Sequence, residues 1–150
     1  MICIAILLHI DTNIKNTNKM NKFNEYIKSY IEEIISTKDS ECVIDKDGMD
    51  SFAKRNNIID GFRIDGIVDN ILDKHIETFN SILERNKSNK CNEIIFSLYH
   101  SEITEIDISI VDRIIEVLQA IGDIDIMWET SKKKDLKPEE LEMIVLIGFE

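Results

Sequence analysis

The chain has 150 residues, of which 43 % are hydrophobic and 31 % charged, and its formal net charge is −11. That length and composition suit one folded domain with its own core and exclude a disordered or membrane-spanning chain. The negative surface repels phosphate backbones and anionic lipids, so no nucleic-acid or membrane partner is expected, whereas a basic protein is attracted.

Taken in chain order, Ile2 to Ile10 is a continuous apolar run, the pattern of a strand buried on both faces. It lacks a positive flank and is far shorter than the ~20 residues of a membrane helix. No targeting segment is therefore expected, and the chain is expected in the cytoplasm. Asp11 to Lys19 is polar and loop-like. Met20, Phe23, Ile27, Ile31, Ile34 and Ile35 recur at helical spacing. Glu41 to Ile44 predicts a short strand running into the turn Asp45-Lys-Asp-Gly48. Asp50 to Asn57 predicts a brief helix, and Asn56 to Gly61 a loop.

From Ile67 a stronger helix runs through Ile71, Leu72, His75, Ile76, Phe79, Ile82 and Leu83, until Asn86 to Asn89 breaks it. Asp65 and Asp69 fall near its start, where carboxylates cap free N–H groups and complement the helix dipole. A βαββ pattern follows. Glu93 to Tyr99 is a strand, Ile108 to Ile121 an amphipathic helix, and Asp125 to Thr130 a second strand. The lysine-rich turn Lys132 to Glu140, stopped by Pro138, leads to the strand Glu142 to Phe149.

This alternation predicts an α/β (α+β) protein, a two-layer sandwich with helices packed on a mixed β-sheet. Residues 1–150 read as a single domain. Its 1–85 portion is strand-helix-strand-helix, and its 92–150 portion is the βαββ unit.

Motifs for chemistry are few. Asp45-Lys-Asp-Gly-Met-Asp50 is a poor calcium loop, because Val43 and Lys54 occupy the positions where ligands are required. His9, His75 and His100 form no HxxxH pair, and Cys3, Cys42 and Cys91 no CxxC pair, so neither a metal site nor a disulfide framework is expected. His9 and His100 each end a strand and could meet only if those strands are neighbours. The five glycines, at 48, 61, 66, 122 and 148, are isolated and build none of the loops that cradle a phosphate, so no cofactor is expected. Trp128 is the only tryptophan. It suits a half-buried core position, or an interface anchor if it stands exposed beside Glu129 and Lys132, Lys133 and Lys134. Together with Asp65 and Asp69, these are the candidate partner-binding residues.

The 92–150 portion resembles the C-terminal domain of the tubulin-like bacterial cell-division GTPase, FtsZ. Ile94 to Tyr99 is similar to that family's first strand, Ile108 to Ala120 to its helix, and Asp125 to Ser131 to its second strand. Leu141 to Phe149 is similar to the closing one, with Leu146-Ile-Gly-Phe149 in the place of an Ala-Thr-Gly-Phe-like tetrapeptide. Trp128-Glu129 departs from the family's small, glycine-containing step, and Tyr99-His100-Ser101 from its Thr-Gly-Gly-like turn. The glycine-rich nucleotide signature is not found. Arg63-Ile-Asp65-Gly-Ile-Val-Asp69 loosely echoes the family's Asn-x-Asp-x-x-Asp loop, but the Asn is missing and one residue is inserted, so no catalytic role passes to Asp65 or Asp69.

The resemblance implies a non-enzymatic protein that acts through protein–protein interaction, possible partners being a filament subunit or another cell-division protein. Net charge alone points instead to an acidic immunity or antitoxin-like protein that masks a basic toxin. A third reading is a small oligomeric enzyme with sites between subunits, for which Arg55, Arg63, Arg85 and Arg113 are the available arginines.

Overall fold

A computed structural model describes residues 21–36 and 44–150. The expected strand Ile2–Ile10, its following loop and most of the expected strand Glu41–Ile44 lie outside those residues. In chain order the elements are α1 (Asn21–Ser36), α2 (Lys46–Arg55), β1 (Ile58–Ile67), α3 (Val68–Arg85), β2 (Cys91–Ser101), α4 (Ile108–Gln119), β3 (Asp125–Lys133) and β4 (Glu140–Phe149).

The strands form one mixed sheet in the order β1-β4-β2-β3. β4 runs antiparallel to both its neighbours, and β3 runs parallel to β2. Parallel neighbours need a crossover, which α4 supplies between β2 and β3. β4 is buried from Met143 through Phe149, with neighbours on both sides and helices over both faces. Its unbroken apolar sequence follows from that position.

Strand alternation sorts the core into two layers. On one face, Phe96 and Leu98 of β2 and Met143, Val145 and Ile147 of β4 meet Ile71, Phe79 and Ile82 of α3 and Ile114 and Leu118 of α4. On the other, Ile95, Ile144 and Leu146 meet Ile27, Ile31 and Ile34 of α1 and Met49 and Phe52 of α2. The α/β class, with helices packed on a mixed sheet, is therefore the observed one. A helical layer stands on each side of the sheet rather than on one.

Several local expectations are corrected. The residues expected as a loop, Asn56 to Gly61, instead include the start of β1, Ile58 to Gly61, and β1 adds to the same sheet as the C-terminal strands. Its turn-forming residues are held extended by a ten-residue register against β4. α2 starts at Lys46, earlier than Asp50, because the Asp45 carboxylate accepts the Gly48 N–H at 2.7 Å and caps the first turn. Ile44, expected as strand, is a buried bend. Asp65 lies within β1 opposite Glu142 and does not cap α3, whose N-cap is Ile67 with no side-chain bond; Asp69 is in the first turn. Lys132 and Lys133 continue β3, so that of these three lysines Lys134 alone lies beyond the strand.

Two similar clamps tie helices to strands. At the end of α2, Arg55 and Asn56 both donate to the Glu93 carboxylate on β2, at 2.9 Å and 2.7 Å. At the end of α3, Arg85 and Asn86 both donate to Asp60 on β1, at 2.6 Å and 2.8 Å. Both carboxylates are buried, so removing one partner leaves a poorly solvated charge.

His75 is fully buried on α3 between the rings of Phe62 and Phe79, with centroids 5.8 and 5.9 Å away. Neither ring nitrogen meets a hydrogen-bond partner of ordinary geometry. Burial pulls its pKa from 6.5 down to about 4, and the Ile114 backbone offsets only part of that. The Cys91 thiol, half-buried against the same core, is pushed by burial up to about 11 and stays protonated.

Two outcomes follow from this packing. A Cβ at position 61 would stand 2.4 Å from the Val145 carbonyl oxygen, a backbone atom that cannot turn away. Gly61→Ala should therefore lower the unfolding free energy by roughly 1–3 kcal/mol in urea titrations. The unfolded chain also takes up a proton at His75 below its ordinary pKa, while the folded chain resists until about 4. His75's contribution to stability is thus complete above pH 6.5 and declines as pH falls toward 4. Replacing it in His75→Leu should remove up to about 1.4 kcal/mol per pH unit of that slope, read as the difference between the two proteins' urea midpoints across this window.

Candidate functional site

The residues singled out from the sequence do not form one surface. Trp128 and Glu129, adjacent on β3, point to opposite faces as strand geometry requires. Trp128 is half-buried and stacks on Phe96, with centroids 6.0 Å apart and planes 10° from parallel. It is used by the core beneath α4 and does not stand out as an exposed anchor. Glu129 is only 2 % exposed and accepts the Ser97 hydroxyl at 3.1 Å. Lys132 and Lys134 are exposed, and Lys133 turns inward across the sheet. Asp69 lies apart from them on α3.

Lys133 belongs to a charge network that sequence reasoning missed. Its ammonium lies 2.5 Å from Glu142 on β4 and 3.6 Å from Glu33 on α1, and passes over the Tyr99 ring at 5.5 Å. The Arg63 guanidinium on β1 completes the square, with one nitrogen on Glu33 and another 2.7 Å from Glu142. Two cations and two anions thus join α1 to three strands at one end of the sheet. Burial alone would lower the Arg63 pKa, but hydrogen bonds to Glu142 and Glu33 carry it above its ordinary value. Burial alone would raise that of Glu142, but hydrogen bonds from Lys133 and Arg63 carry it below. Both therefore remain charged at neutral pH. The signal in the sequence was the alternation through β1, which the glycines and aspartates of that strand obscure.

Beside this network α1 and α3 straddle the outer edge of β1, leaving a groove of about 280 Å³ lined in part by Tyr26, Tyr30, Phe62, Arg63 and Arg85. The edge itself is guarded. Lys74 donates to the Asp65 carbonyl at 2.8 Å, and the Asp60 carboxylate accepts the Gly61 N–H at 2.8 Å. A lysine and a side-chain cap of this kind obstruct pairing with another strand.

His100, expected at a strand end, is buried there, with Nδ1 3.0 Å from the Ser101 carbonyl oxygen and 2.9 Å from that of Thr104. It holds the loop after β2 and is not paired with another histidine among the described residues. Among those residues no group of three or more His, Cys, Asp and Glu side chains could hold a metal ion, and no helix is long and apolar enough to cross a membrane.

No protein-family model matches the chain, and no curated protein matches it by sequence. Among solved structures it is similar to the empty FtsZ dimer of M. jannaschii, with a TM-score of 0.54 and 8 % identity. The superposition covers 93 % of this chain and 42 % of that one. The chain thus spans less than half the length of the FtsZ chain it matches. At that identity the likeness is one of fold, and it extends well beyond the C-terminal residues that carried the resemblance in sequence.

Removing the centre of the charge network tests its weight. Arg63→Met leaves Glu33 and Glu142 facing each other with Lys133 alone, and should cost about 1–2 kcal/mol of stability, between an exposed and a buried pair. Adding Glu142→Gln should recover part of the loss, a coupling measurable by a double-mutant cycle in urea.

Proposed function

We propose that this chain is a non-enzymatic protein built on an FtsZ/tubulin-like C-terminal-domain fold, and that it acts by binding another protein. The observation that carries the reading is the fold likeness to FtsZ over 93 % of the chain. A subunit of an FtsZ-type filament is the leading partner, chosen by analogy of fold alone. The use of the arginines supports a binding role over catalysis. Arg55, Arg63 and Arg85 hold Glu93, Glu33, Glu142 and Asp60 in ion pairs that join the elements of the fold.

The net charge of −11 favours a second reading, an acidic protein that neutralises a basic toxin. The two differ in salt response, because steering by net charge weakens as ions screen it.

The purified chain, mixed with an FtsZ-type GTPase, should co-sediment with its filaments or change their light scattering, and alone it should show no GTP turnover. Turnover by the chain alone, carried through every purification step, would contradict the non-enzymatic role. Absence of co-sedimentation across low and high salt would remove the filament partner.

A further inference from the structure

Most of the apolar surface is consumed by the two core layers, but one end of the sheet keeps three large side chains in solvent. Ile67, the last residue of β1, is 49 % exposed, Ile103 after β2 is 83 % exposed and Ile108, the first of α4, is 59 % exposed. All three lie at the same end of the sheet. Ile67 lies opposite Glu140 and His100 opposite Leu141, so the ends of β1 and β2 flank the start of β4, each one strand spacing of about 4.8 Å away.

The loop that carries Ile103 is tied down. The Ile103 N–H donates to Ser101 Oγ at 3.2 Å, the Thr104 hydroxyl donates to the Pro138 carbonyl at 3.2 Å, and His100 bridges the Ser101 and Thr104 carbonyls. On the other side of the same turn, Val68 N–H donates to the Glu139 carbonyl at 3.1 Å. Ile106 packs inward against the core. Ile103 is therefore held outward by a bonded loop whose other isoleucine is half-buried against the core. Exposed isoleucines scattered singly need no explanation, but three gathered at one end of a sheet on tethered backbone form the kind of patch that marks an interaction site.

The rim decides the occupant. Glu102, Glu105 and Asp107 are exposed among the isoleucines and the Lys137 of the adjoining turn is offset by Glu139 and Glu140, while the exposed Lys132 and Lys134 stand on the far side of β2, at the end of β3. Hydrogen bonds from Ser109 hold the Asp107 carboxyl below its ordinary range, so that charge persists. A second copy of the chain would bring the same acids, and a net charge of −11, against themselves. The geometry points to a docking surface centred on Ile67, Ile103 and Ile108 for a basic protein partner that presents an apolar face ringed by lysine or arginine. This inference rests on the protein-binding reading above and adds where binding occurs and what chemistry it selects.

The test uses the whole chain with isoleucine methyls labelled for NMR, and a synthetic amphipathic helix of leucine and lysine as probe. The methyls of Ile67, Ile103 and Ile108 should shift saturably. The exposed-site variant Ile103→Ser/Ile108→Ser should weaken binding about tenfold or more, and a scrambled peptide of identical composition should bind as poorly to both proteins. Shifts spread over the other acidic faces, or equal affinity for the variant, would overturn the surface.

The same variant separates this proposal from the filament reading. If the unmodified chain co-sediments with an FtsZ-type filament and the variant does so equally, the docking surface is wrong while the filament partner stands. If neither co-sediments but the peptide maps to the three isoleucines, the surface stands and the filament partner falls.

Discussion

Everything in this fold is arranged around β4. Like β2 it has a neighbour on each side and a helical layer over each face, and it alone pairs with β1; from Met143 to Phe149 no residue is exposed. Burying each of its large side chains contributes roughly 1.5–3 kcal/mol. Its backbone then templates both neighbours. β1 is rich in residues that favour turns, yet it lies extended for ten residues because β4 supplies an unbroken row of partners. Gly61 and Gly148 show the same tightness, since a side chain at either would collide with the Val145 backbone or with Asn56.

The charged residues divide by distance from that strand. Close to the core, carboxylates are clamped: Glu93 by the end of α2, Asp60 by the end of α3, and Glu142 by Arg63 and Lys133. These pairs fix where each helix ends and which strand it meets. Their net energetic gain is modest, because each charge also loses hydration, but breaking one strands its partner. Farther out, acids stand free on the surface and give the molecule its negative field. Such a field speeds encounter with basic partners more than it strengthens the final complex.

How much of this was legible in the sequence depends on the source of each signal. α1, α3, α4 and the strands β2 and β4 announced themselves by apolar periodicity, because burial imposes that pattern directly. β1 did not. Asp60 and Gly61 read as loop and Asp65 as a helix cap, and only pairing with a strand some eighty residues away overrides that chemistry. The lysines at the end of β3 misled for the reverse reason: Lys133 looked like solvated turn but reaches over Tyr99 to a distant carboxylate. The clamps were equally hidden, as Arg55 and Glu93 are 38 positions apart and Arg85 and Asp60 are 25 apart. Trp128 was readable in one of its two forms, since its strand neighbours already suggested the half-buried place it takes against Phe96.

Buried charges hold the frame of this protein, and exposed isoleucines stand at one end of its sheet, where the proposed binding would take place. The measurement that bears most directly on that claim is hydrogen exchange of the whole chain with and without an FtsZ-type subunit. The account predicts new protection confined to the end of β1 and to residues 101–108, with β4 already slow in both states. Protection appearing instead along the groove between α1 and α3, or nowhere, would contradict it.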